Sequence, residues 1–165
     1  MTARVLVAGI GNIFLGDDGF GSEVARRLAG QPLPEGVRVV DYGIRGMHLA
    51  YDLLEGYDAL VIVDAMPGDG QPGDITVLEV GADDLGSGPL DAHGMDPVAV
   101  LANLGTLGGE LPHTLVVGCQ PLDVGENMGL TVPVTLAVDV AITTIRELLG
   151  DLLDEQSVGA GSQES

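Results

Sequence analysis

One stretch near the amino terminus decides the fold of this 165-residue chain: Val5-Leu-Val-Ala-Gly9-Ile10-Gly11-Asn12-Ile13-Phe14-Leu15-Gly16-Asp17-Asp18-Gly19-Phe20-Gly21. An apolar run ends in a Gly-rich turn, two adjacent carboxylates follow, and a helical pattern then begins. In that pattern Phe20, Val24 and Leu28 are four residues apart, as they are on one face of a helix. The order of these features is typical of a strand, a loop and a helix at the start of an α/β domain.

The Gly9-x-Gly11 pair raises a dinucleotide site as one interpretation, because Gly-rich turns between a strand and a helix cradle pyrophosphate. The third glycine of that motif permits close packing of the helix on the strand, and Phe14 stands in its place here. Asp17 and Asp18 would also repel a phosphate at the amino terminus of the helix. The turn therefore favours a metal ion or acid–base chemistry, and a nucleotide-binding domain is kept as an alternative.

Composition excludes several classes of function. Six Lys and Arg residues against 25 Asp and Glu residues give a net charge of −19, so a nucleic-acid partner is not expected. The chain has no lysine, which excludes a P-loop and a lysine Schiff base. No apolar run reaches the roughly 20 residues of a membrane span, and residues 5–10 are too short for a signal peptide. We therefore predict a cytoplasmic protein without a membrane partner.

Short apolar runs rich in Val and Ile alternate with helical patterns, which is typical of strands that are covered on both faces. The predicted strands are 4–10, 37–41, 59–64, 75–80 and 114–118. The predicted helices are 19–28, 47–54, 96–104 and 132–149. A chain of 165 residues fits one α/β domain, which we predict over residues 1–150. We predict a disordered, acidic C-terminal tail over 151–165.

The β-α-β-α-β start predicts right-handed crossovers and a parallel sheet. If the strand order is 2-1-3, the first and third strands are neighbours and their helices lie on opposite faces. The crevice outside the carboxyl ends of these two strands is then the place where ligands bind. Asp17 and Asp18 follow the first strand and Asp64 ends the third. We therefore expect these carboxylates, which are distant in sequence, to share one crevice.

One of three histidines is the candidate to complete this site. His93 lies in a predicted loop and is followed by a glycine, which leaves space for its imidazole. His48, inside a helical pattern, and His113, at the start of a strand, are expected to have surface or structural roles. Asp18, Asp64 and His93 would offer two hard oxygen ligands and one imidazole. Such a set suits Zn, Ni, Mn or Fe and leaves open positions for a substrate.

The single cysteine, Cys119, follows an apolar strand. One cysteine forms no internal disulfide and no Cys-rich metal site, so we expect a small buried residue. No Gly-x-Ser-x-Gly element is present, which argues against a serine hydrolase with a nucleophile elbow.

Several motifs taken together resemble those of the hydrogenase maturation proteases, the endopeptidases that trim the large subunit of nickel–iron hydrogenases. The motifs are Gly9-Ile-Gly11-Asn12, Asp17-Asp18-Gly19-x-Gly21, Val63-Asp64-Ala65, His93-Gly94-Met95, Gly118-x-Gln120-Pro121 and Gly129-Leu130-Thr131. They cover residues 4–150 in order and with similar spacing. The resemblance implies a three-layer α/β fold, with a twisted, mainly parallel five-stranded sheet flanked by helices on both faces.

The resemblance also implies a reaction and its residues. Members of the family remove a C-terminal extension from the large-subunit precursor after nickel insertion, and their metal-contacting positions correspond to Asp18, Asp64 and His93. The same three residues are then the catalytic candidates of an aspartic-type peptidase. Residues in supporting positions are Gly9, Gly11, Asn12 and Asp17. Nickel would arrive with the substrate and serve as the recognition signal, no organic cofactor is implied, and the partner of this monomeric enzyme would be a nickel-loaded precursor.

The family has an Asp-x-Gly-Thr box after the second strand that is linked to substrate choice. This chain has Asp41-Tyr42-Gly43-Ile44-Arg45 there, so Ile44 replaces the usual Thr and Arg45 adds a positive charge. By resemblance, Asp41, Gly43 and Arg45 recognise the substrate, whereas the residues alone also fit a loop-ordering role for Asp41.

Two further questions stay open at the level of sequence. A metal could generate hydroxide and polarise the carbonyl group, or a carboxylate such as Asp18 could take a proton from water. A non-catalytic nickel or large-subunit chaperone that binds the same extension is an alternative to the peptidase.

Overall fold

The computed structural model describes residues 3–44, 46–80 and 111–164, with side chains except those of residues 46, 47 and 155–164. In chain order it contains β1 (Val5–Ile10), a short 3-10 helix (Gly16–Gly19), α1 (Phe20–Ala29), β2 (Val37–Gly43), α2 (Gly46–Leu53), β3 (Ala59–Ala65), β4 (Ile75–Val80), β5 (His113–Cys119) and α3 (Val132–Glu164). All five predicted strands are present, with ends that shift by two residues at most. The helix predicted over 96–104 lies outside the described residues.

The five strands form one sheet in the order β2-β1-β3-β5-β4. β1 pairs in parallel with β2 and β3, and β3 pairs in parallel with β5. β4 is the antiparallel strand at one edge of the sheet. The predicted order 2-1-3 is therefore confirmed, and the carboxyl ends of β1 and β3 lie side by side.

Helices cover both faces of the sheet, as predicted. One core consists of alternate residues of β1 and β3, such as Val7 and Val61, with apolar residues of α1 and α3. The other core contains the intervening strand residues, such as Leu6 and Ile62, and Leu49 of α2. Because α1 and α2 lie on opposite faces, the chain changes sides between β1 and β3, where ligands bind in such sheets.

Two glycines allow α1 to approach the sheet closely. A Cβ atom at Gly21 would lie 2.1 Å from the carbonyl oxygen of Val63 and 2.3 Å from that of Ile10. A Cβ atom at Gly9 would lie 2.4 Å from the carbonyl oxygen of Gly21. In a dinucleotide motif the third glycine, at the position of Phe14, would allow the helix to pack closely on the strand. In this chain Gly21, which lies on α1 itself, allows that close packing.

α3 is longer than predicted. The expected end at residue 149 is wrong, because the helix continues through Gly150 to Glu164. Leu152 is only 2% exposed and Leu153 packs against the same core, so burial continues past the local glycine signal. The domain boundary at residue 150 and the disordered tail expected over 151–165 stay predictions. Among the described residues, no helix combines the length and apolarity needed to cross a membrane.

Candidate active site

Asp18 is held in a fixed turn directly after β1. The amide of Asn12 donates to the main-chain oxygen of Asp18 and to its Oδ2 atom, both at 3.1 Å. The amide of Gly11 donates to the carbonyl oxygen of Gly43 at 2.9 Å, which ties the turn to the end of β2. A Cβ atom at Gly11 would lie 2.1 Å from the main-chain oxygen of Asp18. The turn therefore requires glycine at this position.

The backbone amides of this turn are engaged within the protein. Those that donate a hydrogen bond to another residue are the amides of Gly11, Asn12, Phe14, Leu15, Gly16, Asp17 and Asp18. A phosphate-binding loop instead directs several amides at its ligand. This arrangement argues against the dinucleotide interpretation of the Gly9-x-Gly11 pair and favours a turn that presents a carboxylate.

Asp17 is a buried anchor, with 0% of its surface exposed. Its oxygens accept hydrogen bonds from the amides of Leu122 at 2.9 Å, Asp123 at 3.0 Å and Thr131 at 2.7 Å, and from the Thr131 hydroxyl at 2.7 Å. Burial by itself raises the pKa of this carboxyl, but the hydrogen bonds outweigh it and hold the pKa below 3.8. Asp17 therefore stays ionised. Its carboxylate binds a loop that is distant in sequence, and no side chain caps the amino terminus of α1.

We call residues 122–131 the anchor loop, because a second contact joins them to the Asp18 turn. The amide of Gly16 donates to the carbonyl oxygen of Asn127 at 2.6 Å, and the amide of Asp17 donates to that of Asp123 at 2.9 Å. Gly16 has a φ of +56°, and a Cβ atom there would lie 2.6 Å from the carbonyl oxygen of Asp123. The turn is thus fixed by β2 on one side and by the anchor loop on the other.

Asp64 approaches the same edge of the sheet from β3. It is the next-to-last residue of that strand, is half-buried, and lies opposite Gly118 of β5. The 3-10 helix that contains Asp18 contacts β3, and Gly21 lies against the carbonyl oxygen of Val63, directly before Asp64. The structure therefore brings Asp18 and Asp64 to the carboxyl ends of two adjacent parallel strands, as the strand order predicts.

His93, the third predicted ligand, lies outside the described residues, as does Arg45. Within the described ranges, no three side chains of His, Cys, Asp or Glu are grouped so that they could hold a metal ion. The described part of the chain thus contributes two carboxylates to the predicted site, and the full ligand set stays a prediction.

Asp41 orders its own turn at the end of β2. Its Oδ1 atom accepts a hydrogen bond from the amide of Gly43 at 3.0 Å, and Gly43 has a φ of +59°. Asp41 also lines an open cavity of about 490 Å³ together with His48 and Tyr51. Because the carbonyl oxygen of Gly43 accepts from Gly11, this turn supports the Asp18 turn. A role of Asp41 and Gly43 in substrate recognition stays a prediction.

The two other histidines of the chain are His113 and His48. His113 begins β5 opposite Ala59, the first residue of β3, so it lies at the end of the sheet away from Asp64. Its Nε2 atom is 3.7 Å from Glu79. His48 is exposed on α2.

Cys119 is fully buried, as predicted. Burial, with the negative charges of Asp17 and Asp74, raises the pKa of its thiol to about 12. At neutral pH the residue is therefore a thiol and not a nucleophilic thiolate.

Sequence reasoning missed the partner of Asp17. Gly129-Leu130-Thr131 was one of the recognisable motifs, but its function was not evident from its position. The structure shows that Thr131 supplies two of the hydrogen bonds to Asp17. The sequence shows that the Asp17-Asp18 motif and the Gly129-Leu130-Thr131 motif occur in one chain. Only the folded structure shows that the two motifs are in direct contact.

Comparison with known proteins identifies the family. A family model described as hydrogenase maturation protease matches residues 22–148. The hydrogenase expression/formation protein HupD of Rhodobacter capsulatus is 33% identical over 152 residues, which are 88% of this chain and 71% of that protein. The hydrogenase 2 maturation protease of Escherichia coli is 32% identical over 148 residues, covering 86% of this chain and 88% of that protein.

A solved structure agrees in fold over nearly the whole chain. The hydrogenase maturating endopeptidase HybD from Escherichia coli is similar with a TM-score of 0.77 and 28% identity, covering 90% of this chain and 93% of that one. The residues that the family model matches include β2, β3 with Asp64, β4, β5 and about the first half of α3, whereas β1 and Asp18 precede them. This chain, with its two carboxylates at the ends of adjacent strands, belongs to the hydrogenase maturation protease family.

Proposed function

We propose that this protein is an endopeptidase that removes the C-terminal extension of a nickel–iron hydrogenase large-subunit precursor after nickel insertion. The observation that carries the proposal is the position of Asp18 and Asp64 at the ends of β1 and β3, in a chain of this family. Carboxylates at such an edge are suited both to binding a divalent ion and to accepting a proton.

The nickel ion in this proposal belongs to the precursor. Asp18 and Asp64, together with His93, would contact the ion when the precursor is bound. Two carboxylates and an imidazole hold nickel weakly compared with the thiolates of the precursor, because soft sulfur ligands bind it strongly. The ion would bridge the two proteins, so a precursor without nickel would be a poor substrate. No organic cofactor takes part.

In the aspartic-type mechanism that we favour, a carboxylate takes a proton from the water that attacks the peptide bond. The hydrogen bonds of Asn12 to Asp18 and the support from Asp17 and Gly11 hold that carboxylate in place. Fixed orientation of this kind lowers the entropic cost of reaching the transition state. The net charge of −19 supports a monomeric enzyme, because like-charged copies repel each other. We place the reaction in the cytoplasm.

The test mixes purified enzyme with nickel-loaded and nickel-free precursor and measures the intact mass of the products. We expect one C-terminal fragment to be released from the loaded precursor only. Equal cleavage of both precursors would contradict recognition through nickel. Binding of the loaded precursor without any cleavage would favour the chaperone. The Asp64→Asn variant, assayed in parallel, excludes cleavage by a contaminating peptidase.

A further inference from the structure

Exposed apolar side chains are concentrated in the Asp18 turn and in the segment 122–140, whose first part is bound to that turn. Twelve large apolar side chains are exposed among the described residues, and eight of them lie in the turn at 12–15 or in the segment 122–140. Six of the eight form what we call the α3 apolar surface: Leu122, Val124, Met128, Val132, Leu136 and Val140. Soluble monomers seldom expose a large contiguous apolar patch, and such patches mark interaction sites.

The helical part of this surface is regular. Val132, Leu136 and Val140 are four residues apart, so they lie on one face of α3, and they are 73%, 66% and 54% exposed. Val134 and Val138 lie on the buried face and pack in the core. A surface helix normally has polar residues on its outer face. α3 thus exposes an apolar stripe beside the polar residues Thr135 and Asp139, in addition to the apolar face that packs against the sheet.

The surface is firmly connected to the proposed active site. Thr131 directly precedes Val132 and donates two hydrogen bonds to Asp17, the residue before Asp18. The amide of Gly16 is bound to Asn127 in the anchor loop. A protein seated on this surface would therefore lie next to the Asp18 turn in a defined position.

We propose that the α3 apolar surface docks the folded body of the nickel-loaded precursor, and this inference rests on the proposed function. A protein substrate must cover the surface beside the catalytic carboxylates of its peptidase, and in the described part of the chain the α3 apolar surface begins beside the Asp18 turn. A second copy of the chain is disfavoured, because each copy has a charge of −19.

The charges around the surface describe the partner further. Asp123 and Glu126 are exposed in the anchor loop. The Asp139 side chain on α3 is 80% exposed and lies 3.5 Å from the guanidinium group of Arg27, so the acidic residues of the anchor loop dominate the charge beside the surface. The precursor face that fits has an apolar centre and a basic rim, since complementary rims steer association.

The test measures cleavage of nickel-loaded precursor by Leu136→Gln and Val132→Gln variants. Both side chains are exposed, so the fold should be retained, which circular dichroism verifies. We expect KM to rise about tenfold in each variant with kcat nearly unchanged, because docking is lost and the chemistry is not. Leu54→Gln is the matched control: Leu54 is exposed beside α2, on the other side of the sheet, and its KM should equal that of the wild type.

The outcomes separate this proposal from the proposed function. If the wild type cleaves and both variants keep its KM, docking on this surface is refuted and the peptidase stands. If the wild type does not cleave loaded precursor, both proposals fall. Sedimentation of the enzyme alone should show a monomer, and a dimer that Leu136→Gln dissociates would assign the surface to a second copy and overturn the proposal.

Discussion

Asp17 and Thr131 are joined by two hydrogen bonds of 2.7 Å, one from the Thr131 amide and one from its hydroxyl, across 114 positions of sequence. The pair fastens the beginning of α3 to the turn that follows β1. Because the next residue is Asp18, the position of a proposed catalytic carboxylate depends on a contact with the last third of the chain.

Replacing Asp17 with Asn should lower the free energy of unfolding by about 3 kcal/mol, as expected when buried donors to a charged group lose their acceptor. The Asn side chain would turn an NH2 group toward the amides that now donate to the carboxylate. Urea unfolding at neutral pH measures the loss. Asp139→Asn, at an exposed position, should change the stability by less than about 0.5 kcal/mol, and equal stability of the two variants would refute the anchoring role.

Acid should weaken the protein partly through the same residue. The pKa of Asp17 is lower in the folded state than its usual 3.8. The Asp17 carboxylate therefore contributes its full share to the free energy of unfolding above pH 3.8, and this share is lost as the pH falls through the folded pKa. Stability measured from pH 6 to pH 2 should therefore decline less steeply in Asp17→Asn than in the wild type. Parallel curves for the two proteins would contradict this linkage.

Neutralising the proposed catalytic carboxylates should abolish cleavage and preserve the fold. Asp18→Asn and Asp64→Asn should each lower the rate on nickel-loaded precursor by at least about 100-fold, and His93→Ala should behave likewise. The control is His113→Ala, because His113 lies at the amino end of β5, and it should remain active. Near-normal turnover by Asp18→Asn or Asp64→Asn would remove that residue from the site.

Two glycines should respond in opposite ways to alanine. In Gly21→Ala the new Cβ atom would lie 2.1 Å from the Val63 carbonyl oxygen, so α1 must move and we expect a loss of about 3 kcal/mol or more. In Gly150→Ala the new atom meets nothing within 4 Å, and the helix should gain up to about 1 kcal/mol. Thermal unfolding of both variants measures the difference. A stable Gly21→Ala protein would contradict the close approach of α1 to the sheet.

The enzyme purified without its precursor should contain far less than one nickel ion per chain. Two carboxylates and an imidazole, without a thiolate, bind the ion weakly unless the substrate adds ligands. Elemental analysis after dialysis measures the content. Retention of a full equivalent of nickel would indicate a resident metal centre and contradict delivery by the precursor.

The parts of the site that were predictable depend on periodicity and strand order. The apolar runs before Asp17 and Asp64 identify two buried strands, and the order 2-1-3 places their ends together. Contacts between distant loops were not predictable. Four donors surround Asp17, and no local pattern reveals that they come from the anchor loop. A carboxylate after a strand and before a helix looks equally suited to a helix cap.

The end of α3 shows the opposite limitation, in which a local signal was misleading. Gly150 is a common helix stop, but the burial of Leu152 extends the helix because apolar contact outweighs the small cost of one glycine. The packing role of Gly21 was also not visible in the local sequence. Its role depends on the distance to the Val63 carbonyl oxygen in another strand, which sequence spacing does not show.

The bond between Asp17 and Thr131 also has a consequence for the newly made chain. A ribosome adds residues in order, so β1, the Asp18 turn and β3 emerge before any donor for Asp17 exists. Until the anchor loop begins to leave the exit tunnel, the Asp17 carboxylate remains hydrated and the turn is held from the β2 side alone, and the two bonds from Thr131 are the last to form. The nascent peptidase is therefore immature through most of its own translation, and its catalytic geometry is completed only when the carboxyl-terminal helix begins to form.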